Sequence, residues 1–351
     1  MTDRLRILHA ISSDRFAGVE QFVRRLAIRQ RQDGHSVAVL GGAAGHMAAP
    51  LAEAGVDWAP ARSTFAVLRA VRHRLPATDV VNSHMTMADI AAVAARGASR
   101  RTVPIIATRH FAQRRGTVGP SFTYRLVERR VDAEISISRA VADRIGVPST
   151  VIHPGVEPGD LGDPSTRRRT VLVAQRLQPE KHTDVAIRAF VASGLWRSGW
   201  DLEIAGTGPE RGELAALASE LEVGEHVRFL GFRTDLPSLM GDAGILFASS
   251  PFEHFGLTVL EAMAAGLPVV AAAAAGHAEM LQDLDERALF PPGDTDGAAA
   301  RLRSLAADAH ARAALGAQEH ARQVERFSLR TQADATEAVY RRAIRMRERS
   351  G

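Results

Sequence analysis

Short apolar runs of strand length alternate with amphipathic runs of helix length along the chain, and this alternation occurs in two successive series. The predicted strands are residues 5–10, 36–40, 79–82, 104–108 and 134–137 in the first series and 171–174, 202–205, 227–230, 244–248 and 269–272 in the second. Repeated strand–helix–strand order places a parallel sheet between two layers of helices. The predicted fold class is therefore α/β, with two doubly wound domains in succession.

The alternation stops over residues 154–169, which contain three prolines, three glycines and no apolar period. This composition is typical of an inter-domain linker. We therefore predict a first domain at residues 1–160 and a second at 161–328. A helical tail follows, and its last helix, at about 329–351, could pack back onto the first domain.

The composition excludes several classes of function. The chain has no cysteine, so disulfides and thiolate metal ligands are excluded and the cytoplasm is the expected compartment. No run of eighteen apolar residues occurs, and the apolar start is too short for a secretory signal, so no membrane-spanning segment is expected. No His, Asp or Glu cluster has the spacing of metal ligands, and no phosphate-binding loop ending in Gly-Lys-Ser/Thr is present.

Charge is unevenly distributed along the chain. Residues 1–160 carry 22 Arg against 14 Asp and Glu, a net charge of +8, whereas residues 161–351 carry a net charge of −4. Such asymmetry favours an anionic partner for the first half, although a solvated Arg-rich surface explains it equally well. The segment 96–130 holds nine arginines and one acid. It suggests contact with an anionic membrane, at its inner face, or with a phosphorylated acceptor.

The stretch 249–268, SSPFEHFGLTVLEAMAAGLP, contains the densest set of candidate binding groups. It predicts a loop, then a helix that begins after Gly256 and ends near Gly266 and Pro268. The first N–H groups of a helix have no partner within it and attract anions. Two carboxylates, Glu253 and Glu261, flank this helix start. Phosphate held by the N–H groups and hydroxyls held by the carboxylates together describe a nucleotide sugar.

Other loops at strand ends supply further candidates. Arg176 and Lys181, the only lysine among 44 basic residues, follow one strand and could neutralise a diphosphate. Gly206 lies in the sequence AGTGPE and would let the backbone approach a ligand, although a plain strand-to-helix turn is the better explanation of this glycine taken alone. Arg233, in the sequence GFRTD, could border a base.

Together these segments resemble family 4 of the retaining glycosyltransferases, enzymes of the GT-B fold. The strongest match is the E-x7-E signature formed by Glu253 and Glu261. AGTGPE, RFLGF and FPPGD match in the second half, and AGVEQFVRRLA, ATRH and ISISRAVADRI match in the first. The resemblance covers nearly the whole chain. It implies two Rossmann-like domains that face each other across a cleft.

The resemblance also implies roles in donor binding. Arg176 and Lys181 would bind the donor diphosphate, Glu261 the ribose hydroxyls, and Glu253 the transferred sugar. Further donor contacts would come from Gly18, Gly206, Arg233, Phe255, Gly256, Leu257 and Thr258. His110 would lie beside the reacting sugar, although His84, at a similar strand end, is a rival for this place.

The implied reaction is hexosyl transfer from a UDP- or GDP-linked sugar to a glycan, lipid-linked or small-molecule acceptor. It would retain the anomeric configuration and need neither a metal nor a cofactor. The catalytic set would be His110, Glu253, Arg176 and Lys181.

Two alternatives are a nucleotide-sugar epimerase of the same fold and a non-catalytic protein that binds anions or nucleic acid. The E-x7-E pair argues against an epimerase. An aromatic content of 5% and the absence of a known module argue against nucleic acid. Three departures from the family pattern, Ala17-Gly18, Pro154-Gly155 and Ala275-Gly276, leave the shape of the acceptor side open.

Overall fold

The computed structural model describes residues 4–99, 102–114, 121–159 and 161–349. The chain divides into two compact units. Unit 1 comprises Met1–Gly155 and Leu329–Gly351, and unit 2 comprises Val156–Ser328.

Thirteen strands are found in the described residues. They are β1 (Arg6–Ile11), β2 (Ser36–Leu40), β3 (Asp57–Ala59), β4 (Val80–His84), β5 (Ile105–Arg109), β6 (Ala133–Ser136), β7 (Thr150–Val151), β8 (Thr170–Ala174), β9 (Asp201–Ala205), β10 (Val227–Gly231), β11 (Ile245–Ala248), β12 (Val269–Ala272) and β13 (Leu289–Phe290).

The same part of the chain forms fourteen α-helices. They are α1 (Gly18–Gln32), α2 (Ala44–Glu53), α3 (Thr64–Arg74), α4 (Thr86–Gly97), α5 (Ser121–Glu128), α6 (Arg139–Ile145), α7 (Thr183–Ser193), α8 (Arg211–Glu220), α9 (Leu236–Asp242), α10 (Leu257–Ala264), α11 (Ala275–Leu281), α12 (Thr295–Ala307), α13 (Ala309–Arg326) and α14 (Leu329–Glu348).

Each unit contains one parallel sheet. The strand order is β3-β2-β1-β4-β5-β6-β7 in unit 1 and β10-β9-β8-β11-β12-β13 in unit 2. The direction of winding reverses between β1 and β4 in the first sheet and between β8 and β11 in the second. The prediction of two doubly wound α/β domains is confirmed. In such sheets, ligands bind beyond the carboxyl ends of the strands where the winding reverses.

Residues 154–169, predicted to be a linker, are fastened to unit 2 from Val156 onwards. The backbone N–H of Gly159 donates to the carbonyl of Ala264 at 3.0 Å. The guanidinium of Arg167 donates to the carbonyl oxygens of Met240 at 2.6 Å and Ala265 at 2.8 Å. From Val156 onwards, the described part of this segment therefore belongs to unit 2.

The C-terminal helix α14 packs on the N-terminal part of the chain, in unit 1. Its Tyr340 is fully buried, and the phenol oxygen accepts a hydrogen bond from Asn82 Nδ2 on β4 at 2.6 Å. Glu337 lies 3.1 Å from His35, and Arg347 donates to Asp132 at 2.6 Å. In the described residues, no helix is both long and apolar enough to cross a membrane.

Candidate functional site

The point where the winding reverses in unit 2 brings the loop after β8 against the loop after β11. Gln175 Nε2 donates to Thr183 Oγ1 at 2.9 Å and to Ser249 Oγ at 3.1 Å. Ser249 Oγ in turn donates to the carbonyl of Lys181 at 2.9 Å. These bonds hold the two loops in one arrangement. Sequence reasoning missed Gln175 and Ser249, because their side chains act on the loops through contacts that only the fold creates.

Across these two loops, the ammonium of Lys181 forms an ion pair with the carboxylate of Glu253. The lysine side chain is only 15% exposed and the glutamate only 20%. The single lysine of the chain and the first acid of the E-x7-E signature are therefore in direct contact at a largely buried position.

Helix α10 begins next to this ion pair. Gly256 precedes it with a φ of +101°, a left-handed conformation that glycine adopts without steric cost. A Cβ at this position would lie 2.7 Å from His277 Cδ2. Thr258 and Glu261 are half-buried and, three residues apart on the helix, lie on one face. Thr258, in the first turn of α10, and the second acid are thus presented on the same side of the helix.

Residues of α11 support the loop that carries Glu253. The N–H of Gly276 donates to the carbonyl of Glu253 at 3.1 Å. A Cβ on Gly276 would lie 2.2 Å from Phe255 Cα, so no side chain fits there. The neighbouring His277 is buried. Burial lowers the pKa of its imidazole, so the ring that packs against Gly256 is neutral near pH 7.

The two candidate arginines are more exposed. The Arg176 guanidinium lies over its own loop, hydrogen-bonded to Gln178 and 3.2 Å from the Glu180 carboxylate. Arg233 follows the edge strand β10 and pairs with Asp235 at 2.5 Å. The hydrogen bond to Asp235 raises the pKa of Arg233. Three strand spacings, about 14 Å, separate β10 from β11, so Arg233 lies on a different loop from the Lys181–Glu253 pair, and its place beside a base remains a prediction.

The turn after β9 requires glycine for reasons of packing. A Cβ on Gly206 would lie 1.9 Å from the carbonyl oxygen of Gln175, and one on Gly208 would lie 2.0 Å from that of Leu177. Close contact with the loop after β8 therefore accounts for both glycines without a ligand.

In unit 1, His110 follows β5 and is 7% exposed. Its Nε2 lies 3.0 Å from Nδ1 of His84, so the two rival histidines are hydrogen-bonding partners. The ring of Phe22 meets His110 edge-on, with the ring centres 4.8 Å apart. Gly18 is the exposed first residue of α1, and the preceding Ala17 donates its N–H to Glu20 at 2.9 Å. Among the described residues, no group of three or more His, Asp or Glu side chains could hold a metal ion.

Two doubly wound units, with a lysine–carboxylate pair beside a glycine-led helix where the second sheet reverses, define the class of the GT-B glycosyltransferases. Residues 16–160 match the profile described as Glycosyltransferase Family 4, and residues 162–322 match that of Glycosyl transferases group 1. The chain belongs to family 4 of the glycosyltransferases.

The chain is also similar in sequence to individual glycosyltransferases. A D-inositol 3-phosphate glycosyltransferase of Mycobacterium marinum is 35% identical over 60% of this chain and 47% of its own. The lipopolysaccharide core biosynthesis mannosyltransferase LpsB of Rhizobium meliloti is 29% identical over 67% of this chain and 71% of its own. The match thus spans about half the length of the mycobacterial relative.

The fold as a whole is shared with a solved structure. The crystal structure of Anabaena Alr3699/HepE in complex with UDP superposes with a TM-score of 0.79 at 21% identity, covering 95% of this chain and 99% of that one.

Proposed function

We propose that this protein transfers a sugar from a nucleoside diphosphate to an acceptor hydroxyl with retention of the anomeric configuration. The observation that carries the proposal is the grouping in unit 2. Lys181 and Glu253 form an ion pair beside the open start of α10, and Glu261 lies further along that helix. The cation and the helix start suit a diphosphate, and the carboxylates suit sugar hydroxyls, so the group as a whole suits a nucleotide sugar.

The diphosphate would be bound by Lys181, by Arg176 and by the first N–H groups of α10. Lys181 supplies a compact charge that is already partly desolvated, which strengthens its attraction for phosphate. To bind phosphate, the ammonium has to leave Glu253. Arg176 has to move away from Glu180, a surface pair that costs little to open because its side chains are 64% and 56% exposed.

Glu261 would accept hydrogen bonds from the ribose hydroxyls, and Glu253, once released, from the transferred sugar. The N–H groups from Phe255 to Thr258 would meet the sugar and the distal phosphate. Carboxylate acceptors make charge-assisted hydrogen bonds, which are stronger than neutral ones.

Cleavage of the anomeric bond leaves an oxocarbenium-like sugar and adds charge to the departing diphosphate. Lys181, Arg176 and the helix start would stabilise that charge through groups already oriented before the reaction. In this scheme the leaving phosphate helps to deprotonate the acceptor hydroxyl, so neither glutamate serves as a nucleophile. Gly18 would let the first loop of unit 1 approach the diphosphate, and His110 would lie beside the reacting sugar.

For the acceptor we propose two chemical classes rather than a single compound. One relative is named for an inositol phosphate and another for a lipopolysaccharide core, so a phosphorylated polyol or a lipid-linked glycan would suit an acceptor side rich in arginine. UDP is the first nucleotide to test, because HepE was crystallised with it; GDP is the second.

Peripheral contact with the inner face of an anionic membrane is part of the proposal. An apolar groove lies between α4 and α5, with Ile90, Leu126 and Arg130 among its lining residues. Leu126 is 42% exposed. Arg96 is used internally, in a 2.5 Å pair with Asp132, whereas Arg125, Arg129 and Arg130 are exposed.

Membrane contact can be tested by co-sedimentation with vesicles that contain or lack anionic lipid. The double variant Arg129→Glu/Arg130→Glu is expected to lose the preference for anionic vesicles. Arg188→Glu, on α7 of unit 2, is the matched control. Equal binding to both kinds of vesicle at low salt would remove the membrane proposal and leave the transfer proposal intact.

Thermal shift against UDP, GDP, ADP and their sugars tests the proposed function. One nucleotide is expected to stabilise the wild type, and Lys181→Met to abolish the shift. The sugar of the responding donor is then offered with and without an acceptor. Transfer only with the acceptor supports the proposal, whereas interconversion of the sugar without it identifies an epimerase. Salt-dependent nucleic-acid binding with no nucleotide response would favour the non-catalytic alternative.

A further inference from the structure

Gln175 lies at the centre of the candidate donor site, in the loop that directly follows β8. Its amide nitrogen Nε2 lies 2.9 Å from Thr183 Oγ1, 3.1 Å from Ser249 Oγ and 3.2 Å from the carbonyl oxygen of Lys181. Its backbone N–H donates to the carbonyl of Ala205, the last residue of β9, at 3.1 Å. One residue is therefore hydrogen-bonded at the ends of β9 and β11 and to the lysine that the proposed function assigns to the diphosphate.

The orientation of the Gln175 amide is fixed by its partners. A carbonyl oxygen only accepts hydrogen bonds, so the group that faces the Lys181 carbonyl must be the NH₂ and not the amide oxygen. Ser249 gives the same result, because its hydroxyl donates to the Lys181 carbonyl at 2.9 Å and therefore receives the Gln175 hydrogen bond at its oxygen. The two hydrogens of the NH₂ group are thus divided among three acceptors.

The Lys181 carbonyl is held by two side-chain donors. Gln175 Nε2 approaches it from the same loop, and Ser249 Oγ from the loop after β11. Ser249 is buried and Gln175 is half-buried, and hydrogen bonds are stronger at such places than in water. The backbone of Lys181 is therefore fixed relative to the loop that carries Glu253, so that the flexible lysine side chain can exchange this carboxylate for a phosphate without a shift of the loops.

We propose that Gln175 is a positioning residue for Lys181, and that its amide fixes the lysine backbone where the ammonium reaches both Glu253 and the donor diphosphate. The assignment of the diphosphate to Lys181 rests on the proposed function, whereas the effect of Gln175 on the Lys181–Glu253 pair does not. A misplacement of about 1 Å in a supporting residue is enough to weaken a preorganised site. Gln175 thus acts on the ligand through Lys181 rather than by direct contact.

A measurement without any ligand tests the effect on the ion pair. Lys181 is the only lysine of the chain, so trace acetylation of lysine, followed by mass spectrometry, reports on this side chain alone. Acetylation needs an uncharged and accessible amine, which the pair with Glu253 suppresses. Gln175→Met removes the amide donors and keeps an unbranched side chain. It is expected to raise the acetylation rate about 5-fold, the effect of one lost hydrogen bond.

Three further variants complete this measurement. Glu253→Gln removes the carboxylate and gives the rate of an unpaired lysine. Ser249→Ala removes the second donor to the Lys181 carbonyl and should also raise the rate, in case Gln175→Met fails to fold. Gln318→Met, at an exposed position on α13, is the matched control and should leave the rate unchanged. A wild-type rate in Gln175→Met, or in Ser249→Ala if the first variant does not fold, would overturn the proposal.

Nucleotide binding then tests the link to the diphosphate. Isothermal titration compares UDP with uridine, which lacks the phosphates that Lys181 would bind. Gln175→Met is expected to lower the affinity for UDP about 5-fold and to leave the affinity for uridine nearly unchanged, whereas a general disturbance of the fold would lower both. In the Lys181→Met background, Gln175→Met should cause no further loss of UDP affinity.

Two results of the titrations would contradict positioning through the lysine. One is an equal loss of affinity for UDP and uridine, and the other is the same loss for UDP with and without the Lys181 ammonium. Failure of the wild type to bind either UDP or GDP would count against the proposed function. The acetylation rates would then still decide whether Gln175 positions Lys181.

Discussion

Lys181 and Glu253, separated by 72 residues in sequence, meet as an ion pair above the carboxyl ends of two adjacent strands, β8 and β11. Each of these two charged groups therefore neutralises the other within the protein. A donor diphosphate would attract the lysine and a sugar hydroxyl would take up the glutamate, so binding would exchange one internal pair for two external ones. This exchange leads to the first prediction below.

Replacement of Lys181 by methionine should lower the affinity for the nucleotide diphosphate at least 10-fold. The change keeps an unbranched side chain only one atom shorter, removes its charge and leaves Glu253 to repel the phosphates. Isothermal titration with UDP measures the effect. The control is Arg188→Gln, which opens the 4.0 Å pair between Arg188 and Asp184, both half-exposed, on α7. An equal loss in both variants would point to a general charge effect and contradict a specific role for Lys181.

Glu261→Gln should weaken nucleotide binding by about 1.5–3 kcal/mol, the contribution of a hydrogen bond to a charged group. The loss should depend on the ribose hydroxyls. Titration with UDP and with its 2′,3′-dideoxy form gives a double-mutant cycle. The wild type should discriminate between the two ligands, and the variant should bind both nearly equally. Unchanged discrimination in the variant would remove Glu261 from the ribose.

Gly276→Ala should destabilise unit 2 by about 2 kcal/mol or more and weaken nucleotide binding at the same time. The added methyl group would lie 2.2 Å from Phe255 Cα, so the loop that carries Glu253 would have to shift. Amide hydrogen exchange in β8 and β11 measures the stability of this unit. In Gly241→Ala, on α9, the added Cβ meets nothing within 4 Å, and stability is expected to be unchanged or slightly higher. Similar behaviour of the two variants would show that the contact at Gly276 is easily relieved.

Unit 1 should lose stability as the pH falls from about 6.5 towards 4. His9 has a pKa of about 4 in the folded state because it is buried, whereas the unfolded chain takes up this proton near 6.5. Between these values the unfolded state binds more protons, so the free energy of unfolding decreases by about 1.4 kcal/mol per pH unit for each such histidine. Burial also lowers the pKa of His84 well below its usual range, so this histidine should add to the slope.

Amide hydrogen exchange in β1 and β4 between pH 7 and pH 4 measures this effect. Carboxylates also titrate at the lower end of the range, so the comparison is made with His9→Gln, which should lower the slope by one proton. A slope that is the same in both proteins would mean that His9 is protonated in the folded state.

Much of unit 2 could be predicted from the sequence because its signals are local. Gly256 and Gly266 mark the ends of a helix whatever surrounds it, and both have positive φ in the structure. In unit 1, Ser138 is a local signal of the same kind, since its hydroxyl caps α6 by accepting from the N–H of Val141 at 3.1 Å. Helix α2 gives no such local signal. It contains Pro50, which normally ends a helix, and follows glycine-rich sequence that reads as a loop.

Other features could not be predicted because they depend on which strands become neighbours. His84 and His110 compete for one role when each is considered as a strand-end residue, and only the pairing of β4 with β5 makes them partners. Arg233 is a plausible ligand residue by its loop, but its separation from the Lys181–Glu253 pair depends on strand order, which puts β10 at the edge of the sheet. For Gly206, the reason for the glycine is the carbonyl of Gln175 on the next loop.

By itself, the sequence determined the α/β class, the two parallel sheets and the E-x7-E helix. Hydrophobic period, proline and glycine act over a few residues and do not need a partner from elsewhere in the chain. Only the tertiary structure decided that Lys181 is paired with Glu253, that Gln175 joins two loops, and that His84 and His110 are hydrogen-bonding partners. Such contacts depend on strand order and on the exclusion of water, which are properties of the folded chain as a whole.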